Sequence, residues 1–86
     1  MPATRRAVPL GSLPTDDVVR VVVTIGTHAV RRQLATHGVR PGTVVRVLRG
    51  GGPGHGGMIV RCGDTRLALG PGEAAAIIVE PAMRAG

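Results

Sequence analysis

The sequence predicts an all-β fold: a small, strongly bent barrel of about five strands with one short α-helix between the first two. Three observations carry that reading. The chain has 86 residues and is 43 % hydrophobic, yet it contains no Phe, Tyr or Trp, so its core must be aliphatic. Val, with 13 copies, dominates that core, and β-branched side chains favour strands. The 14 Gly and 7 Pro interrupt the apolar runs at short intervals, as strands joined by turns require. A domain this small buries only about 60–65 % of its unfolded surface, and closing the sheet on itself avoids exposed edges.

The elements follow in chain order. Residues 1–7, with Arg5 and Arg6, are expected to form a disordered basic tail. Residues 8–14 bring Leu10 and Leu13 to the domain on an extended strap or one helical turn. The run VVRVVVTI over 18–25 is the first strand. Strict alternation there puts Val19, Val21, Val23 and Ile25 on one face and Val18, Arg20, Val22 and Thr24 on the other. Thr27 is placed to N-cap a helix over 28–37, with Val30 and Leu34 as its buried stripe and Arg31 and Arg32 outside. Gly38 stands where a left-handed C-cap residue is wanted, and Pro41-Gly42 is a type II turn pair. Strands over 43–49 and 58–62 flank a glycine-rich loop, 50–57. Gly63-Asp64 is a Gly-first hairpin turn into a strand over 65–69. A turn at Gly70-Pro71-Gly72, one helical turn over 73–75 and a strand over 76–80, with Ile77 and Val79 inward, close the domain. Residues 81–86 form a C-terminal tail.

Composition excludes several chemistries. The formal net charge is +6, from 11 basic and 5 acidic residues, which invites an anionic partner. Every basic residue is Arg, however, and the wealth of Ala, Gly, Val and Pro reads as the codon bias of a GC-rich genome. Without aromatics the chain lacks the platforms on which single-strand binders stack bases, and no DNA partner is expected. Without Lys it can build neither a Walker A loop nor a Schiff base. A lone Cys62 forms no intramolecular disulfide or multi-Cys zinc cluster, and a reduced, cytoplasmic setting is the default. The longest uncharged run, 50–60, falls well short of the ~20 apolar residues of a membrane span. No apolar segment follows Arg5 and Arg6, so no signal peptide is expected.

The remaining motifs are sparse. Gly52, Gly54 and Gly57 fit G-x-G-x-x-G, but a strand follows them, not the helix N-terminus that would hold a pyrophosphate. Ser12 is the only Ser, and Cys62 with His55 has no third group to orient it, so Cys62 reads as a half-buried thiol. Asp16-Asp17 reads as a solvated turn, and Glu73 and Glu80 stand apart, which leaves paired-carboxylate catalysis without support. His28, His37, His55 and Cys62 are all acceptable ligands for zinc or iron. His28 and His37 are nine positions apart, which places them on opposite sides of a helix. His55 and Cys62 remain as metal candidates, for Fe2+ or Zn2+, with no cofactor required.

One stretch is more specific. Residues 31–43, RRQLATHGVRPGT, run into Val44-Val45-Arg46-Val47 and resemble the ferrous iron transport protein A (FeoA) family, whose RRQL..LG(L/M).PG stretch enters a strand. Leu10-Gly11-Ser12-Leu13-Pro14 is similar to that family's opening. Arg66-Leu67-Ala68-Leu69 and the segment 73–79 are similar to its close, so the resemblance spans residues 8–80. Two positions depart from it. Thr15-Asp16-Asp17 replaces a Gly common at the first turn, and His37 stands where an apolar Leu is usual, which predicts a more exposed side chain.

The resemblance implies an SH3-like β-barrel that is cytoplasmic and not an enzyme. It implies an accessory to the membrane GTPase that imports Fe2+, contacting its cytosolic part and held peripherally at the inner membrane face through that partner. The contact face would be His28, Arg31, Arg32, Gln33 and Arg40, with Gly38, Pro41 and Gly42 shaping the backbone. The same barrel closes iron-dependent repressors of the diphtheria-toxin repressor type, for whose helix-turn-helix and dimerisation parts this chain has no room. A rival resemblance, carried by residues 40–47 with the loop 50–57, is to RNA-binding ribosomal KOW-type barrels. Those modules lack a helix between their first two strands.

Overall fold

Val-rich runs punctuated by glycine fold here into one antiparallel sheet. The computed structural model describes residues 7–50 and 57–82. Six strands pair in it: β1 (Val8–Pro9), β2 (Val18–Thr24), β3 (Val44–Arg49), β4 (Met58–Cys62), β5 (Thr65–Leu69) and β6 (Ile77–Pro81). Helix α1 (His28–Thr36) joins β2 to β3, and the short α2 (Pro71–Ala75) joins β5 to β6. The sheet runs β1-β6-β2-β3-β4-β5. Residues 1–6, 51–56 and 83–86 lie outside the description, so most of the two expected tails and of the glycine-rich loop, with His55, lies there too.

Where about five strands were expected, six pair among the described residues. The strap begins as a two-residue strand in which Val8 pairs with Val79 and Pro9 with Ile78, and a 3-10 turn over Leu10–Ser12 follows. Pro at an edge strand costs no ladder bond. The helix consequently lies between the second and third strands. Leu10 is fully buried and pins this strap to the core. The turn ahead of β2 closes through the Asp17 N–H, which donates to the Pro14 carbonyl at 3.4 Å. Its third residue, Asp16, takes φ 79°, a region where glycine is at ease and other residues are strained.

Alternation builds the core through Val19 and Val21 of β2, Val45 and Val47 of β3, Val60 of β4 and Val79 of β6, all buried. It fails towards the end of β2, where Val23 and Ile25, expected on one face with Val19 and Val21, are 42 % and 47 % exposed while those two are buried. A bulge is the cause. Val21 pairs with Val79 but Val23 with the very next residue, Ile78, so two steps of β2 oppose one of β6 and the facing flips. A second irregularity between Val47 and Arg49 does the same against β4. Bulges bend and twist a strand, which curls this sheet. Among the described residues β1 and β5 remain its edges, and closure comes from α2, packed against the 3-10 turn, β5 and β6.

Candidate functional site

Helix α1 is fixed at both ends by local chemistry. At its start the Thr27 hydroxyl accepts from the Val30 N–H at 3.2 Å, filling one of the orphan donors of the first turn. At its end the Gly38 N–H donates to the Ala35 carbonyl (3.0 Å) and the Val39 N–H to the Leu34 carbonyl (2.9 Å). That bond pair is a Schellman motif, and Gly38 supplies its left-handed residue with φ 90°. Leu34 and Val39 are both buried, the apolar contact that accompanies the motif.

The following turn is tied as firmly. The Thr43 N–H donates to the Arg40 carbonyl at 3.0 Å across Pro41-Gly42. Gly42 takes φ 93°, the positive value a type II turn needs at that place, while Pro41 presets the preceding one. The Thr43 hydroxyl donates to the Gly38 carbonyl at 3.2 Å and accepts from the Arg40 N–H at 3.3 Å. Bonds between Val21 of β2 and Gly42 and Thr43 (2.7 and 2.8 Å) anchor the turn to the sheet.

This frame displays the predicted contact residues unequally. At 100° per residue, His28, Arg31 and Arg32 fall within one sector of about 100° on the side away from the core. All three are exposed. Gln33, also exposed, lies about 140° round from His28 and belongs to the other flank. Arg40 is exposed but turned back, its Nη2 donating to the Ala35 carbonyl at 3.4 Å, where the helix dipole favours a cation. His37 is the exposed C-cap residue, its N–H shared between the Gln33 and Leu34 carbonyls.

Of the metal candidates, His55 lies outside the described residues. Cys62 is 9 % exposed and belongs to the core cluster. Burial pushes its thiol above the usual 9.0, away from the thiolate a metal would bind. Among the described residues no group of three or more His, Cys, Asp or Glu could hold a metal ion. Three arginines that the sequence did not single out, Arg46, Arg61 and Arg66, align across the outer face of β3, β4 and β5. Alternation turns each outward, but only strand register brings them together.

A bent six-stranded sheet, closed by a short helix and carrying a capped helix between β2 and β3, defines the class: an SH3-like barrel. The sequence model of the FeoA domain matches residues 8–81. The chain belongs to the FeoA family. It is 32 % identical to an iron uptake regulatory protein (FeoA) known from a crystal structure, covering 87 % of this chain and 97 % of that one with a TM-score of 0.79. The FeoA of Stenotrophomonas maltophilia, crystallised in complex with zinc and described as a prokaryotic SH3 domain protein, is 31 % identical over 90 % of this chain and 89 % of its own, with a TM-score of 0.70. A manganese-dependent transcriptional repressor shares the fold over 92 % of this chain and 44 % of its own, at 24 % identity and a TM-score of 0.81. No curated protein matches the chain in sequence.

Proposed function

We propose that this chain serves ferrous iron uptake in the cytoplasm as a non-catalytic accessory, held at the inner membrane face by the cytosolic region of a membrane Fe2+ transporter GTPase. The observation that carries the reading is the exposed crest of α1. His28, Arg31 and Arg32 stand on a helix capped at both ends, and among the described residues neither arginine has an ion pair. Arginine on a rigid support is a frequent anchor of protein contacts. Gln33 and Arg40 extend the surface to either side. Membership of the FeoA family supports the iron-transport setting, and a contact function requires no cofactor. With Cys62 turned into the core, the surface used is one of charge and shape, and Fe2+ or Zn2+ would bind only weakly.

The test is a tagged pull-down from the native host in mild detergent, with mass spectrometry and a nuclease-treated control. A large membrane GTPase should co-purify, survive nuclease and fall at least tenfold in yield with Arg31→Glu/Arg32→Glu. Recovery of ribosomal proteins that vanish with nuclease, or a GTPase retained in full by the double variant, overturns the reading.

A further inference from the structure

The outer face of the sheet carries a row of cations that the helix contact does not use. Arg46 of β3 pairs with Arg61 of β4, and Arg61 with Arg66 of β5. All three are exposed: buried Val45 and Val47 flank Arg46, buried Val60 and Cys62 flank Arg61, and in β5 the half-buried Leu67 and buried Leu69 alternate with Arg66. Directly opposed side chains have Cβ atoms about 5 Å apart, so the three stems stand in one line about 10 Å long. Like charges so placed repel and destabilise the sheet. Among the described residues no hydrogen bond or ion pair offsets them.

The contrast with β2 and β6 is direct. There Arg20 stands opposite Glu80 and pairs with it at 3.9 Å. Arg49 adds a further exposed cation along β3. Asp16 and Asp17 lie in the turn before β2, Asp64 in the β4–β5 turn and Glu73 in α2, so the row has no counter-charge on its own strands.

Three features select the occupant. Among the described residues the row lies on an open sheet face and lines neither of two surface hollows of the domain, so it suits an extended anionic surface better than a single small anion. The chain has no aromatic side chain on which bases could stack, which counts against a single-stranded nucleic acid. Val44, 46 % exposed, sits two residues before Arg46 on the same face of β3, and Val22, 39 % exposed, lies diagonally across from it on β2. Arginine stems can lie along such aliphatic ground while their guanidinium groups reach phosphates.

We propose that the Arg46–Arg61–Arg66 row docks reversibly on an anionic phospholipid surface. It is a second attachment, independent of the α1 contact, and it presents the barrel to the membrane by the outer face of β3–β5. Each basic residue near an acidic bilayer is worth about a fivefold gain in partitioning, so the row as a whole supplies about 100-fold. Because the attraction decays within a Debye length of about 8–10 Å, salt weakens it.

The experiment is co-sedimentation of the full chain with unilamellar vesicles of phosphatidylcholine alone or with about one-third phosphatidylglycerol, in low and in high salt, with no transporter present. Binding should require phosphatidylglycerol and fall with salt. Arg46→Gln/Arg61→Gln/Arg66→Gln should lower the partition coefficient about 100-fold, Arg61→Gln alone about fivefold, and Arg31→Gln/Arg32→Gln less than tenfold. The triple variant should also melt no lower than the parent, since it removes mutual repulsion. Equal partitioning to the two lipid mixtures, or equal loss in the triple and the helix variants, overturns the proposal. So does tighter binding of an RNA oligonucleotide through the same three arginines. The vesicles contain no protein, so this outcome is separate from that of the pull-down.

Discussion

Gly38 offers a test in which conformational strain and steric clash are separated. Its φ of 90° is one that L side chains rarely adopt, yet a Cβ built there would meet nothing within 4 Å. The penalty for adding a side chain is therefore torsional alone. A non-glycine residue in the left-handed region costs roughly 1–2 kcal/mol, offset by about 0.4–1 kcal/mol because the substitution stiffens the unfolded chain. Ala should thus lose about 0.5–1 kcal/mol, Val about 1–2 because it is β-branched, and Asn least because it tolerates this region. For a domain of this size 1 kcal/mol moves Tm by about 4–8 °C, so Gly38→Val should melt roughly 5–15 °C below the parent. The assay is thermal unfolding by far-UV circular dichroism, since the chain has no Tyr or Trp to report by fluorescence. Gly57 provides the opposite case. Its φ is not positive, but a Cβ there would press against the Leu69 carbonyl oxygen of the neighbouring strand. Gly57→Ala should therefore lose more than Gly38→Ala, through displaced strand pairing. A parental Tm for Gly38→Val, or one shared value for Ala, Val and Asn, would refute the left-handed cap.

Two further outcomes follow from other residues. Asp16→Gly should stabilise by up to about 1 kcal/mol, because Asp16 holds φ 79° in the turn before β2 and glycine relieves that strain at a smaller entropic cost; an unchanged or lowered Tm would refute it. Burial raises the Cys62 thiol above its ordinary 9.0, so the folded state keeps a proton that the unfolded chain releases. The contribution is fully present below pH 9 and is lost as pH rises through the folded value. The chain contains neither Lys nor Tyr, so Cys62 dominates this window. Stability from chemical denaturation should fall there with a slope of at most about 1.4 kcal/mol per pH unit. Cys62→Ala should abolish the slope, and its survival in that variant would show that another group is responsible.

The local punctuation of this fold was legible in the residues. Thr27, Gly38 with Val39, Pro41-Gly42 and Gly63 act within three to five residues of themselves, and each meets its hydrogen bond or its φ where the sequence placed it. The alternation likewise set Val19 and Val21 on one face of the first strand and Val79 inward in the last, and all three are buried. At the candidate site, helical spacing alone was enough to set His28, Arg31 and Arg32 on an outer sector. Distant pairing decided the rest. The bulge that turns Val23 and Ile25 outward exists because β2 must register with both β3 and β6, and neither partner is visible in the run VVRVVVTI. The edge strand β1 forms only once Val79 is there to receive Val8. Arg40 turns back on the Ala35 carbonyl because the Schellman motif reverses the chain over the helix end. Arg46, Arg61 and Arg66 each face outward on strand periodicity, but their alignment depends on the register of three strands separated by two turns. Capping and turn energies are settled among near neighbours, whereas register is a property of two segments jointly, fixed by which side chains they bury together.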